Sequence, residues 1–114
     1  MSVKFEGTFF GSVTVGKKAF HHDVYVDPDG NLAPREGGHR VSADEIRTVL
    51  KSNPEVIVIG TGQFGCVKLL EEAARVAEAH GVKVVKERTP VAIKKFNELV
   101  DEGKRIAAIV HVTC

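Results

Sequence analysis

The sequence has few of the residues that staple a small protein. Among its 114 residues there are two cysteines, Cys66 and Cys114. Two cysteines are too few for a disulfide framework, and their separation lacks the paired spacing of a zinc site. We therefore interpret Cys66 as a small packed thiol, because free cysteine is among the most buried residue types.

Long apolar runs and strong charge are also missing. No window approaches about 18 uninterrupted apolar residues, and the first residues lack an apolar core of signal-peptide length. The net charge of +1, with 27% charged residues, differs from the clustered basic charge of nucleic-acid binders. We therefore expect a soluble, cytoplasmic protein that binds neither a membrane nor nucleic acid. A chain of this length can bury its own core, so we expect residues 1–114 to form a single domain.

The first part of the chain, residues 1–41, has the two-residue period of short β-strands interrupted by glycine. It ends in a polar loop, residues 36–40, whose adjacent glycines make it flexible. Residues 42–53 are then predicted to form a short helix, because Ser42 and Glu45 match a capping box.

The second part, residues 55–114, changes to the order strand, helix, strand, helix, strand. Its three apolar strands lie near residues 56–59, 82–85 and 105–112, and its helices are predicted to begin at Cys66 and Thr89. Strands in βαβ units are parallel, so all three should finish at one edge of the sheet. We predict an α/β fold, a three-layer single domain in which the β-rich N-terminal part is followed by a βαβαβ half-Rossmann-like parallel sheet.

The pattern Gly60-x-Gly62-x-x-Gly65, between the first of these strands and its helix, matches the dinucleotide-binding fingerprint. Amide groups at a helix N-terminus could receive a phosphate there, and Glu87, at the end of the next strand, is placed to bind a ribose hydroxyl. A full dinucleotide fold has two βαβαβ halves, however, and this chain supplies one. The glycines form either a nucleotide loop or a tight turn, and we assign no cofactor. In both cases we expect Gly62 to have a positive φ or a close backbone neighbour.

The carboxyl edge of the predicted sheet is the candidate pocket, because ligands of open α/β sheets bind beyond the strand ends. Free helix N-termini and a countercharge from Arg35 or Arg88 would suit a small anionic ligand. The alternative is that the threonines cap helices and turns while the histidines bond to backbone. The predicted pocket residues are Gly60, Thr61, Gly62, Gln63, Gly65, Glu87, Arg35, His39, His111 and Cys114.

Residue spacing gives little support to a metal site or a thiol enzyme. His111 and Cys114 lie three residues apart in an extended segment and would face opposite sides, so we assign no metal. A cysteine in the first turn of a helix, as predicted for Cys66, gains about 0.3–1 kcal/mol for its thiolate, which is too little to make a nucleophile. A thiol-dependent activity of Cys66 or Cys114 therefore rests on position alone.

The C-terminal sequence Arg-Ile-Ala-Ala-Ile-Val-His-Val-Thr-Cys, residues 105–114, forms a recognisable set with Gly60-Thr-Gly62 and Thr89-Pro90. In these residues the chain resembles a family of small domains of unknown molecular function. That family includes archaeal and bacterial stand-alone proteins, the adipogenesis-associated protein and a mitochondrial complex I assembly factor. The resemblance runs from about Phe5 to Cys114. It implies a compact three-layer α/β fold with a β-rich N-terminal part, and it implies no established enzyme activity.

Three functions remain open. The resemblance, together with the lack of a matched acid, base and nucleophile, favours a non-catalytic binding or assembly module whose partner is another protein or a second copy of this chain. The glycine pattern favours a protein that binds a nucleotide or a small anion, or a small oxidoreductase. The third function is a thiol-dependent activity through Cys114 or Cys66.

Overall fold

The computed structural model describes residues 3–36 and 38–114. The predicted flexible loop, residues 36–40, contains Gly37, which lies outside the described residues. The helices are α1 (Ala43–Leu50), α2 (Glu71–Ala79) and α3 (Thr89–Asp101). The strands are β1 (Phe5–Phe9), β2 (Ser12–Val15), β3 (Lys18–Phe20), β4 (Val24–Val26), β5 (Leu32–Pro34), β6 (Arg40–Val41), β7 (Val56–Thr61), β8 (Lys68–Leu69), β9 (Lys83–Glu87) and β10 (Ile106–His111).

A five-stranded sheet in the order β5, β4, β10, β7, β9 forms the middle of the molecule. As predicted, β10, β7 and β9 are parallel. Two N-terminal strands extend this sheet on the β10 side, because β4 pairs antiparallel with β10 and β5 pairs antiparallel with β4. The sheet is therefore mixed: it contains the predicted parallel βαβαβ unit, and strands of the β-rich N-terminal part extend it antiparallel. The strands β1, β2 and β3 form a separate antiparallel sheet.

The two central strands, β7 and β10, are buried on both faces, which explains their unbroken runs of small and β-branched residues. Alternate side chains along them enter two different cores. The core that contains Val58 joins the central sheet to α3 and to β1 and β2, and the core that contains Ile57 joins it to α1 and α2. The predicted three-layer α/β fold is therefore confirmed.

The start of α1 confirms the predicted capping box. The Ser42 hydroxyl accepts a hydrogen bond from the Glu45 amide at 3.2 Å, and the Glu45 carboxylate accepts one from the Ser42 amide at 3.4 Å. These two bonds satisfy amide groups that have no partner inside the helix.

The second helix starts later than predicted. Its expected first residue is Cys66, but α2 begins at Glu71. Four of the amides in residues 66–70 donate instead to carbonyls outside this helix, those of Cys114, Thr61, His39 and Val41. Partners outside the helix therefore fix this stretch in an extended path, and its β8 residues pair with β6.

Candidate functional site

The carboxyl ends of β7, β9 and β10 meet at one edge of the central sheet. In the strand register, Thr61 lies beside His111 and Gly60 lies beside Glu87. The ring of His39 packs edge-on against the ring of His111, with the two centroids 5.2 Å apart. The structure therefore brings these five predicted pocket residues to one place.

Gly62 lies directly against the C-terminal segment, residues 112–114. Its φ is +103°, and a Cβ at this position would overlap the carbonyl group of Cys114 and lie 2.9 Å from Cδ2 of His111. The expected positive φ and close backbone neighbour of Gly62 are both confirmed. The neighbour is the protein's own chain.

The loop after Gly62 also encloses the C-terminal segment. The amides of Gln63 and Phe64 donate to the carbonyls of Thr113 and Cys114, at 2.7 and 3.0 Å. The loop that carries Gln63 is therefore hydrogen-bonded to the segment that carries Cys114. This contact between two predicted pocket segments leaves less room for a ligand between them.

Thr89, at the start of α3, holds the same edge together from within. Its buried hydroxyl donates to the carbonyl of His111 at 2.6 Å and accepts the amide of Gly62 at 3.0 Å. A Cβ at Gly60 would lie 2.9 Å from this hydroxyl. Gly60 therefore makes room for Thr89, which is a structural reason for the first glycine of the pattern.

The glycine pattern does not have the geometry of a dinucleotide loop, because no helix begins at Gly65. Residues 66–70 separate it from the first turn of α2. The N-terminus that a phosphate would need is therefore not at the end of the loop. Nucleotide binding by residues 60–65, with Glu87 at the ribose, stays a prediction that this geometry does not favour.

The helix that does start at this edge, α3, has no free amides in its first turn. The amides of Thr89 and Val91 donate to the carbonyls of Gly62 and Arg88. Pro90, between them, has no amide hydrogen. The expectation that free helix N-termini would attract an anion is therefore wrong for α3, because the fold itself uses these donors.

The two cysteines are bonded to each other, so the interpretation of Cys66 as a free packed thiol is wrong. A disulfide joins Cys66 to Cys114 across a sequence separation of 48, with the Cα atoms 5.5 Å apart. Two cysteines so far apart give no spacing signal. They meet because β7 and β10 end side by side and the loop after Gly62 passes over the end of β10.

We expect this disulfide to contribute substantially to stability. Reduction should lower the free energy of unfolding by about 2–4 kcal/mol, because the unfolded chain regains the freedom that the cross-link removes. Urea denaturation with and without dithiothreitol measures the difference. Cys114→Ser should show the lower stability in both buffers, and a wild-type stability that does not respond to reductant would contradict the prediction.

Arg35 lies beneath the site and not over it. The residue is 4% exposed. Its guanidinium donates to the carboxylates of Glu45 and Asp23, the latter at 2.8 Å, and to the carbonyls of Gly38 and Arg40 at 3.0 and 2.9 Å. Burial lowers the pKa of Arg35, but the hydrogen bonds and charges of Glu45 and Asp23 outweigh burial and raise the pKa above its usual value. The prediction that Arg35 supplies the countercharge for an anionic ligand is therefore wrong, because its guanidinium donates its hydrogen bonds to groups of the protein itself.

Asp23 connects this ion pair to His111. One carboxylate oxygen lies 2.7 Å from Nδ1 of His111, and the other accepts the amide of Val112 at 3.0 Å. The second ring nitrogen of His111 lies 3.1 Å from the hydroxyl of Thr113. An ionised carboxylate only accepts, so Nδ1 carries the hydrogen and Nε2 faces Thr113. Asp23 therefore fixes both the histidine ring and the start of the C-terminal segment.

Asp23, Glu45 and Tyr25 were not among the predicted site residues. The sequence indicated Glu45 only as a capping residue of α1. The alternation along β4 predicts which of its side chains are buried, but it does not predict that Asp23 and Glu45 pair with Arg35. No cluster of three or more histidine, cysteine, aspartate or glutamate side chains suited to a metal ion occurs in residues 3–36 and 38–114.

Tyr25 should make the protein less stable in alkaline solution. Its hydroxyl donates to Glu45 at 2.6 Å. Burial, and then the hydrogen bond and charge of Glu45, raise the pKa of Tyr25 above its usual value. The folded protein thus keeps a proton that the unfolded chain loses above about pH 10, so this contribution to stability is complete below that pH and is lost as pH rises.

Urea titrations at a series of alkaline pH values measure this effect. The free energy of unfolding should fall more steeply between about pH 9 and pH 12 in the wild type than in Tyr25→Phe, which has no phenol to ionise. Equal slopes for the two proteins would show that Tyr25 does not retain its proton on folding.

A cavity of about 460 Å³ opens beside the ends of β7 and β9. We call it the basic crevice, and it is lined by Thr61, Lys68, Lys86, Glu87 and Arg88 together with Val67 and Leu69. The hydroxyl of Thr61 donates to the carbonyl of Glu87 at 3.0 Å. Among the residues that the structure describes, Lys68, Lys86 and Arg88 form no ion pair with a carboxylate. Three available cations therefore surround one cavity.

Three exposed phenylalanines lie on the loop after Gly62 and at the end of β1, which this loop contacts. Phe9, Phe10 and Phe64, which we call the aromatic edge, are 80%, 62% and 66% exposed. The rings of Phe10 and Phe64 lie 6.1 Å apart. The end of β1 is held against the loop, because the Gln63 side chain donates to the Thr8 hydroxyl at 3.0 Å. Phe9 ends β1 and Phe10 lies in the turn that follows, and neither ring is in a core.

Solved structures of other proteins share this fold over nearly the whole chain. A conserved hypothetical protein from Pyrococcus horikoshii OT3 is 32% identical, with a TM-score of 0.88 over 97% of this chain and 99% of that chain. An Mth938-like domain protein from Bordetella pertussis is 22% identical, with a TM-score of 0.77 over 96% of this chain and 85% of that one, and it shows the fold alone.

A curated relative matches a smaller part of the chain. The 13 kDa major membrane protein of Francisella tularensis subsp. holarctica (strain LVS) is 31% identical over 70 residues, which are 61% of this chain and 56% of that protein. This chain therefore matches little more than half of that protein's length. None of the helices in the described residues is both long enough and apolar enough to cross a membrane.

The resemblance to the adipogenesis-associated protein and to the complex I assembly factor stays a prediction. The family to which it points is nevertheless shown at a coarser level. Residues 5–111 match the family model described as "Protein of unknown function (DUF498/DUF598)". The chain therefore belongs to the DUF498/DUF598 family of proteins of unknown function.

Proposed function

We propose that this protein is a non-catalytic docking module whose aromatic edge binds a protein segment. The observation that carries the proposal is the exposure of Phe10 and Phe64, whose rings lie 6.1 Å apart, together with the exposure of Phe9, the residue before Phe10. Exposed clusters of large apolar side chains mark interaction surfaces, and aromatic residues contribute much of the energy at interfaces. The resemblance to an assembly factor agrees with this role.

The charge beside the aromatic edge indicates the chemistry of the partner. A Cβ at Gly65, the residue after Phe64, would lie 3.7 Å from Cγ of Arg88 and 3.8 Å from the hydroxyl of Thr61. The aromatic edge and the basic crevice therefore form one continuous surface. Such a surface complements a segment whose apolar anchors are followed by aspartate or glutamate.

Two other occupants fit this surface less well. A second copy docked through the same edge with two-fold symmetry would bring two basic crevices close together, and like charges repel. A lipid surface is flat, whereas Lys68, Lys86 and Arg88 line a cavity into which an acidic side chain can insert. The occupant that we propose is therefore an acidic, apolar protein segment.

Selection from a random peptide library, followed by fluorescence anisotropy with the selected peptides, tests this proposal. The peptides should combine apolar anchors with acidic flanks. Affinity should fall by at least about tenfold in Phe64→Ala, as for a residue central to an interface. It should fall in Arg88→Glu as well, and that loss should shrink at high salt.

Matched controls lie on α3 and belong neither to the aromatic edge nor to the lining of the basic crevice. Val91→Ala removes another exposed apolar side chain, and Lys94→Glu makes the same charge change as Arg88→Glu. Both should bind peptide normally. Peptide binding that ignores Phe64→Ala would refute the proposal. The proposal would also be refuted if no peptide is selected and the wild type instead forms a dimer in sedimentation that Phe64→Ala abolishes. Binding to anionic phosphatidylserine vesicles that Phe64→Ala abolishes, again with no peptide selected, would refute it in the same way.

A second candidate function is small-anion binding in the basic crevice, which the three available cations favour. Inorganic phosphate and ATP are the probes for a thermal-shift measurement. A ligand at one hundred times its Kd adds about 2.7 kcal/mol of stability. The shift should disappear in Arg88→Glu and persist in Phe64→Ala, which separates this function from peptide docking, and the absence of a shift with either probe would exclude it.

A further inference from the structure

The Cys66–Cys114 disulfide occupies an unusual position for a purely structural cross-link. Both cysteines are partly exposed, and they lie at the carboxyl edge of the central sheet and not in either core. Cys66 follows Gly65, which lies against Arg88 at the junction of the aromatic edge and the basic crevice. A reagent in solution can therefore reach the bond without unfolding of the core.

The disulfide joins two segments that are otherwise held by a few backbone bonds. The amides of Phe64 and Cys66 both donate to the carbonyl of Cys114, at 3.0 and 3.2 Å, and the amide of Gln63 donates to Thr113 at 2.7 Å. The same loop carries Phe64 of the aromatic edge. Breaking the disulfide removes the one covalent constraint between the loop and the C-terminal segment.

We propose that Cys66 and Cys114 form a thiol–disulfide exchange site whose substrate is a dithiol reductant. A thiolate of the dithiol attacks one sulfur of the disulfide, forms a mixed disulfide and releases the other cysteine as a thiolate, which takes a proton from solvent. The second thiol of the reductant, after it loses its proton to solvent, then attacks the mixed disulfide. The reductant leaves with its two sulfurs joined in a disulfide, and the second cysteine is released as a thiolate that takes a proton from solvent. Two electrons pass from the dithiol to the cysteine pair.

Reduction changes the surface that this edge presents. The loop of residues 62–66 gains freedom, so Phe64 is no longer fixed beside Phe10, and the aromatic edge loses its preformed shape. This consequence rests on the proposed docking function, whereas exchange at the disulfide does not.

Hydrogen exchange under native conditions tests the proposal without any partner. Dithiothreitol should reduce the folded protein to two titratable thiols, and oxidised dithiothreitol or oxidised glutathione should reverse this. In the reduced protein the amides of Gln63, Phe64 and Cys66 should exchange at least about tenfold faster than in the oxidised protein. The amide of Leu70, which donates to Val41, is the internal control and should change little.

Cys66→Ser should show the fast exchange at Gln63 and Phe64 in either buffer. If that variant does not fold, reversible reduction of the wild type supplies the same comparison. The proposal is overturned if native protein resists dithiothreitol until it unfolds, or if the loop amides exchange equally in both redox states. Failure of the docking function would give a different result. The disulfide would be reduced and reformed reversibly as expected, but the oxidised protein would select no peptide.

Discussion

Arg35→Met is expected to lower the free energy of unfolding by about 3–5 kcal/mol, the range seen when one partner of a buried ion pair is removed. The substitution keeps an apolar side chain of similar length but leaves the carboxylates of Asp23 and Glu45 without their cation. It also leaves the carbonyls of Gly38 and Arg40 without the donors that the guanidinium provides. Urea denaturation at neutral pH, followed by circular dichroism, measures the loss.

Arg75→Met is the matched control for this substitution. Arg75 pairs with Glu71 on the exposed face of α2, and surface pairs at this spacing contribute only about 0.3–0.5 kcal/mol. Arg35→Lys keeps the charge but not the five donors, so it should fall between the two methionine variants. A loss at Arg35→Met no larger than that at Arg75→Met would mean that the buried network does not stabilise the fold.

Gly62→Ala should cost about 2–5 kcal/mol, from strain at a positive φ and from overlap with neighbouring atoms. The added methyl group would occupy the place of the Cys114 carbonyl, so either the loop or the C-terminal segment must move. Thermal denaturation of oxidised protein measures the loss of stability.

Gly103→Ala separates the two contributions. Gly103 also has a positive φ, +81°, but nothing lies within 4 Å of a Cβ at that position. It therefore suffers the backbone strain without the overlap. Equal losses at Gly62 and Gly103 would show that contact with the C-terminal segment contributes nothing to stability.

The fold was predictable because apolar periodicity reports burial directly. β7 and β10 are uninterrupted apolar runs since both faces of the central sheet are covered, and the capping box fixed the start of α1. The start of α2 was not predictable in the same way. Its amphipathic pattern extends back to Cys66, but the amides of Cys66, Lys68 and Leu70 donate to carbonyls in distant parts of the chain.

The candidate site was predictable in place but not in chemistry. Parallel strands must end together, so Thr61, Glu87 and His111 were expected at one edge and lie there. The roles of Arg35 and Cys66 depend on partners in other segments, Asp23 and Glu45 for the arginine and Cys114 for the cysteine. The apolar periodicity of one segment predicts which of its faces is buried. It does not predict such pairs, because they depend on how segments distant in the sequence pack against each other.

The position of β10 in the central sheet has a consequence for how the protein is made. This strand follows all other described strands in the chain, yet it lies in the middle of the sheet, between β4 and β7. Until the ribosome has released residues 106–111, β4 and β7 each lack a neighbour and expose unpaired backbone groups. We therefore expect the sheet to close in one non-local step, which cannot occur before residues 106–111 have left the ribosome.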